Sequence, residues 1–491
     1  MLSHCYLPLI VILLIFPIES PLQAGEDLST QSREALHKAV AYYRENVSTE
    51  GGYLWRYSED LAKREGEGKT GAMTVWVQPP GTPSVGGAFL QAYRATGDPY
   101  FLEAARETAL ALVRGQLVSG GWDYRIEFDP EFREQYAYRV EGSKEAVKNI
   151  TTLDDNTTQA AVRFMMRVDR ALEFKDEAIH EAVVYALEKL LEAQYPNGAW
   201  PQRFSEPPDP KLFPVKKASY PESWSREYQN VDYKGHYTFN DNTISDMVVT
   251  MLDAHSIYGD SKYRASAEKA GGFILLAQMP DTQPAWAQQY DPDMHPAWAR
   301  KFEPPALSGG ESQGVLQTLL TLYEATGDKR FLDPIPRALD YFRKSRLPDG
   351  GLARFYELQT NRPLFFTKEY KLTYDDSDLP THYSFKSGYW VEGIASRYER
   401  ISRKDSKELR YELDTDRTEP GGNLEKEVEK VLSSLDDRGR WVEDGRLRYH
   451  GEDDSTRRIL NSATFAANVG ILSAYLLVVE TTGANDSNKL D

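Results

Sequence analysis

Apolar residues recur along the chain at helical spacing. Val315, Leu316, Leu319, Leu320, Leu322 and Tyr323 place most of their side chains on one face, and Val183, Leu187, Leu190 and Leu191 do the same. That is the three-and-four spacing of an amphipathic helix. Between such runs a short signal repeats. Tyr93-Arg94-Ala95-Thr96-Gly97-Asp98, Tyr323-Glu324-Ala325-Thr326-Gly327-Asp328 and Ile257-Tyr258-Gly259-Asp260 each set Gly where one helix ends and Asp where the next begins. This is C-cap and N-cap chemistry back to back. A degenerate copy, Leu172-Glu173-Phe174-Lys175-Asp176, keeps the Asp and lacks the Gly. Loops with Gly or Trp close the hairpins: Gly120-Gly121-Trp122, Gly198-Ala199-Trp200, Ala285-Trp286-Ala287 and Gly350-Gly351-Leu352.

Repeated helix hairpins predict a helical array. The expected fold is all-α, an α/α toroid built from repeated helix hairpins, with the Trp loops gathered around one cavity. There is no βαβ alternation and no dinucleotide fingerprint. The toroid is expected over residues 25–400, followed by a helical extension, residues 401–491. Within that extension Arg403 to Glu427 reads as a charged surface connection, and Phe465 to Val479 as an apolar helix that closes or caps the ring.

Composition narrows the compartment and the partners. The chain has 491 residues, 41% of them hydrophobic and 27% charged, as in an ordinary soluble protein. Its net charge of −17 argues against a nucleic-acid or anionic-membrane partner. The apolar run Leu7 to Phe16, with Leu22-Gln23-Ala24 before a cut, reads as a signal peptide over residues 1–24. The run is short for a membrane span, so a secreted or periplasmic protein without a stable span in the mature chain is expected, acting as a monomer. The one cysteine, Cys5, lies inside this segment, which leaves the mature chain no thiol chemistry, no disulfide and no cysteine-ligated zinc.

The chemistry concentrates in the loops that open each hairpin. They read Thr152-Leu153-Asp154-Asp155-Asn156-Thr157-Thr158, Phe239-Asn240-Asp241-Asn242-Thr243 and Ser308-Gly309-Gly310-Glu311-Ser312. Any one acid there is explained as a helix cap. Three consecutive polar residues exceed what one cap needs, and two such clusters in adjacent hairpins can share an ion. Carboxylate and amide oxygens without His or Cys suit a hard cation such as calcium.

These motifs resemble those of the family 10 polysaccharide lyases, the pectate lyases. Thr152 to Thr158 is similar to the family's T-x-D-N-x-A-T, Gly198-Ala199-Trp200-Pro201-Gln202 to its G-G-W-P-Q, and Tyr237-Thr238-Phe239-Asn240-Asp241 to its I-T-[FY]-N-D. The long run Ala299-Arg300-Lys301-Phe302-Glu303-Pro304-Pro305-Ala306-Leu307-Ser308-Gly309-Gly310-Glu311-Ser312 is the most specific, and Ala353-Arg354-Phe355-Tyr356-Glu357 follows it in the family's order. The resemblance implies a toroid that cleaves polygalacturonate, an acidic polysaccharide, by calcium-assisted anti β-elimination. It implies Arg300 as the base, Asp154, Asp155 and Asp241 as Ca2+ ligands, and Arg354, Arg203, Lys301 and Trp200 as substrate-binding residues. One departure stands out: the family carries Asn directly after the first Asp, and this chain has Asp155. The extra charge either tightens calcium or marks a related uronate polymer as substrate. The competing readings are a glycoside hydrolase using Asp154 and Asp241 as its carboxylate pair, and a non-catalytic polysaccharide-binding protein.

Overall fold

The Gly-Asp turns fold as their chemistry dictates. Gly97, Gly259 and Gly327 are left-handed, with φ of 67°, 74° and 72°, and each amide closes the helix before it. The following Asp98, Asp260 and Asp328 accept from the amides of Tyr100, Lys262 and Arg330. In the degenerate copy, Glu173 and Phe174 take the left-handed conformation instead, and Asp176 still caps the next helix through Ile179 N.

The structure is a computed structural model that describes residues 21–487 apart from 144, 234 and 414–422. The apolar core of the expected signal peptide lies outside the described residues. The helices are α1 (Pro21–Tyr42), α2 (Thr82–Thr96), α3 (Pro99–Gly115), the one-turn α4 (Pro130–Arg133), α5 (Thr157–Ala171), α6 (Glu177–Glu192), α7 (Thr243–Tyr258), α8 (Ser261–Ala277), α9 (Gly309–Thr326), α10 (Ile335–Lys344), α11 (Val391–Ser402), α12 (Leu424–Ser434) and α13 (Ser462–Ser487). The first helices of successive hairpins pack side by side in the order α2, α5, α7, α9, α11. The second helices lean on the next hairpin: α3 on α5 and α6, α8 on α9, and α10 on α11.

The two ends of the chain meet. Helix α13 packs on α1, α2 and α12, and Arg458–Asn461 pairs antiparallel with Arg56–Ser58. The fold is an α/α toroid. Over Ser462–Glu480, α13 is long and apolar enough to cross a membrane by length and composition; here Phe465, Val469, Leu472 and Leu476 are buried.

Short strands at the mouth add to the helical plan. Thr74–Trp76 pairs with Arg125–Glu127, Thr151–Thr152 with Arg203–Phe204, Tyr237–Thr238 with Gln289–Tyr290, and Ala306–Ser308 with Phe355–Glu357. Each pair ties the segment entering a hairpin to the segment leaving it. Strands this short carry no alternation that a sequence pattern could reveal.

Two recurring devices hold neighbouring hairpins together. Gln116 Nε2 donates to Gly120 O in its own loop (2.9 Å) and to Ala182 O of α6 (2.8 Å). Gln194 does the same with Gly198 O and Ser266 O, and Gln278 with Pro284 O and Pro334 O. The Trp loops form the second device. The indole N–H groups of Trp122, Trp200 and Trp286 donate to Leu112 O (2.9 Å), Leu190 O (2.7 Å) and Ile274 O (2.8 Å) near the ends of α3, α6 and α8. All three rings are fully buried. This corrects the substrate-binding role that the resemblance implies for Trp200. Its ring plugs the hairpin and offers no face to a sugar.

Among the described residues between Phe204 and Tyr237 there is one regular element, a single 3-10 turn at Pro210–Leu212. The segment is nevertheless fastened. Ala218 N donates to Leu276 O (2.8 Å), and Trp298 Nε1 donates to Ser225 O (3.0 Å).

Replacing Gln116 by Ala orphans two buried carbonyls between hairpins. A loss of about 1–3 kcal/mol is expected, read as a lower denaturation midpoint. Gln116→Leu, which restores the volume alone, should recover only part of it.

Candidate active site

Two turns of the same shape bring the acids together. Asp154–Asn156 and Asn240–Asn242 are 3-10 turns that lead into α5 and α7. In each, two successive residues are left-handed: Asp155 (φ 51°) and Asn156 (φ 57°), then Asp241 (φ 49°) and Asn242 (φ 58°). Such a residue costs roughly 1–2 kcal/mol, and Asn and Asp are among the few that visit the region. Capping does not account for the cost, because neither Asn156 nor Asn242 makes a side-chain cap bond. The turns pack on one another. One carboxylate oxygen from each of Asp154, Asp155 and Asp241 lies within 4.8 Å of the other two.

The three acids differ in what compensates them. Asp154 is engaged on both oxygens: Gln202 Nε2 donates to Oδ1 (2.7 Å), Tyr124 OH to Oδ2 (2.7 Å), and Arg203 Nη2 reaches Oδ2 at 3.4 Å. Asp241 accepts from Asn240 Nδ2. Asp155 has no salt bridge among the described residues. Burial, and then the Asp154 charge, push the Asp155 carboxyl up to about 7 and Asp241 to about 6. Crowded oxygen donors, with no His or Cys among them, fit a hard divalent cation that would relieve the repulsion.

The opposite wall is cationic. Arg300 lines a cavity of about 360 Å³ together with Asp154, Arg203, Tyr233, His236 and Asn240. Its guanidinium donates to Glu303 Oε1 (2.7 Å), and its backbone N–H donates to Oε2 (3.0 Å). Glu303 is almost fully buried and accepts also from Gln288 Nε2 (2.6 Å) and Tyr383 OH (3.0 Å). Burial opposes the charge on Arg300, but the Glu303 bond outweighs it and holds the guanidinium above its ordinary range. Burial likewise opposes the Glu303 charge, and the Arg300 bonds hold that carboxyl below the usual range. Arg354 donates to Glu311 Oε1 (2.5 Å) and Gln288 Oε1 (3.2 Å), and reaches Asn240 Oδ1 at 3.5 Å. Both guanidinium groups lie over the Tyr383 ring, Arg354 at 4.3 Å and Arg300 at 5.4 Å from its centroid.

The structure thus brings Asp154, Asp155, Asp241, Arg203, Arg300 and Arg354 to one mouth. Lys301 points elsewhere, with its Nζ 3.6 Å from the Tyr370 ring centroid in an adjoining cavity. Sequence reasoning missed the roles of Tyr124, Gln202, Gln288 and Tyr383. Of these, Gln202 lies in a recognised motif, Tyr124 and Gln288 follow the tryptophans of two Trp loops, and Tyr383 lies in neither. It also missed His236, whose Nδ1 has no hydrogen-bond partner and whose imidazole is pushed down by burial.

Residues 116–350 match the family model described as pectic acid lyase, which bears out the resemblance read from the motifs over that segment. No curated protein matches the chain. Among solved structures, a family 10 polysaccharide lyase from Cellvibrio cellulosa is 21% identical, covering 65% of this chain and 97% of its own, with a TM-score of 0.44. A mutant of that lyase, in complex with trigalacturonic acid, is 20% identical over 65% of this chain and 98% of its own, also at 0.44. Cellobiose 2-epimerase from Bacillus thermoamylovorans is 12% identical over 92% of this chain and 99% of its own, at 0.47.

The raised acids have a consequence for stability. The folded state holds the Asp155 proton more tightly than the unfolded chain does. Without metal, stability therefore falls as pH rises from about 4 toward about 7. Calcium should raise the melting temperature more near pH 8 than near pH 5, where protons compete for the same oxygens. Asp155→Asn should stabilise the metal-free protein above neutral pH by roughly 1–2 kcal/mol, allowing for solvent screening, and shrink the calcium-induced shift. Differential scanning calorimetry with and without chelator reads both.

Proposed function

We propose that the protein cleaves polygalacturonate by calcium-assisted anti β-elimination, releasing 4,5-unsaturated oligogalacturonides, and that it does so outside the cytoplasm after removal of its signal peptide. One observation carries the reading. Arg300 shares a cavity with Asp154, and its charge acts on Asp155 and Asp241, all inside the segment that matches the pectic acid lyases.

The C5 proton of a uronate is weakly acidic, and its removal builds negative charge on the adjacent carboxylate. Held by Asp154, Asp155 and Asp241, calcium would supply a Lewis acid for that charge and link an acidic protein to an acidic polymer. Arg300 takes the proton in this reading. Glu303 fixes its side chain through two bonds, which supplies position before basicity. The same carboxylate disfavours the neutral guanidine, so the active form grows toward alkaline pH. Arg354 and Arg203 face the carboxylates of bound sugars as charge-assisted donors.

The hydrolase reading is weaker. It needs two carboxylates flanking a sugar bond, separated by about 5 Å or more. Here three acids, not a separated pair, bring one oxygen each within 4.8 Å of the others, a grouping that suits a shared cation better than distinct acid and base roles.

Incubation with polygalacturonate and calcium should raise ultraviolet absorbance, and chelator should abolish the rise. Arg300→Ala should lower the rate by about two to four orders of magnitude. Glu303→Gln removes the anion that holds Arg300 charged and should move the alkaline limb of the pH–rate profile toward neutrality. No absorbance rise from neutral to alkaline pH contradicts the proposal.

A further inference from the structure

At the acids the floor of the mouth is a single turn. Asp154, which opens that turn, lines the catalytic cavity. Asn156, which closes it, lines another cavity of about 300 Å³, walled by α2, α5 and α13. Asp155 stands between them, left-handed like Asn156. Asn156 makes no side-chain cap bond to α5, so the usual device for fixing a helix entrance is not in use here.

Arg163 reaches the turn from below. It lies on α5 two helical turns beyond Asn156, roughly 10 Å along the axis. Helical side chains lean toward the N-terminus, and the long arginine side chain spans the gap: Nη2 donates to Asn156 Oδ1 at 3.0 Å. Arg163 is buried and lines the cavity beneath the turn, where a charged donor binds more strongly than in water. The second turn is supported differently. Asn242 Oδ1 lies against Gly314 of α9, where a β-carbon would come within 3.3 Å of it. Close packing backs that turn, and a strut backs this one.

We propose that Arg163 is a positioning residue for the cation site. Its bond holds Asn156, and through the shared backbone it holds Asp155, so that the Asp155 carboxylate stays grouped with those of Asp154 and Asp241. Carboxylates this close repel one another and swing apart unless the backbone that carries them is fixed. The charge of Arg163 would by itself weaken the binding of a cation, whereas its bond strengthens binding through position, so the two effects have opposite signs. The charges that act most on Asp155 are those of Asp154, Asp241, Glu67 and Arg300, which leaves position as the larger effect of Arg163. The proposal rests on the calcium reading of the acid cluster.

The test is the calcium affinity of the substrate-free protein, read by titration calorimetry at mildly alkaline pH. The variants are Arg163→Met, Arg163→Lys, Asn156→Gly, and Arg163→Met combined with Asn156→Gly. Glycine keeps the left-handed turn and removes the acceptor. Arg163→Met and Asn156→Gly should each weaken calcium binding about tenfold, the combined variant should weaken it no further, and Arg163→Lys should recover part of the loss. Unchanged or tighter binding in Arg163→Met, or losses that add in the combined variant, overturn the proposal and leave the calcium reading standing. If Arg163→Met does not fold, Asn156→Gly decides alone: wild-type affinity overturns the proposal, and a loss of the expected size upholds it. If wild type binds no calcium, the calcium reading falls and the role of Arg163 falls with it.

Discussion

Crowding of three carboxylates at the ends of two helices is the constraint around which the mouth is organised. Like charges inside 4.8 Å repel strongly where solvent is partly excluded. The chain bears this in two places, in the raised Asp155 and Asp241 and in the paired left-handed residues of the two turns. Strain of this kind persists only where surrounding structure fixes it. Here the fixing is done by the short strands that enter α5 and α7 and by the packing of the turns on one another. The cationic wall is the counterweight. Arg300 and Arg354 are each tied to a buried or half-buried Glu and both lie over Tyr383, so their charges stand at fixed places facing the acids.

The division of labour between scaffold and site follows from this. Glycine turns, Asp caps, Gln clamps and buried Trp plugs build a rigid stack from repeated parts. None of these parts touches the chemistry. The site uses the acids of the paired turns, the arginines of the later loops, and the long segment between Phe204 and Tyr237. That segment carries Tyr228 and Tyr233 to the cavity although its described residues have almost no regular structure of their own.

Much of the scaffold was legible in the sequence because caps and helical periodicity are local signals. The Gly-Asp repeat gave the hairpins, and the apolar run from Phe465 gave a core helix at the end of the chain. The acids and arginines were legible through their motifs. What escaped was set by tertiary contact. Trp200 sits in a recognisable loop, but only the distance to Leu190 O shows that its indole seals a helix end. Tyr383 lies in no motif, yet it contacts Glu303, Gln288, Arg300 and Arg354. Lys301 follows Arg300 in sequence and opens into a different cavity, a divergence that neighbouring positions in one motif cannot express.

The most direct test of elimination is the mass of the products formed from polygalacturonate in isotopically heavy water. Elimination breaks the glycosidic bond without adding solvent oxygen. One set of products should therefore be lighter by one water than a hydrolytic fragment of equal length, and none should gain heavy oxygen from bond cleavage. Fragments of full hydrolytic mass carrying solvent oxygen at the newly formed ends would contradict the account.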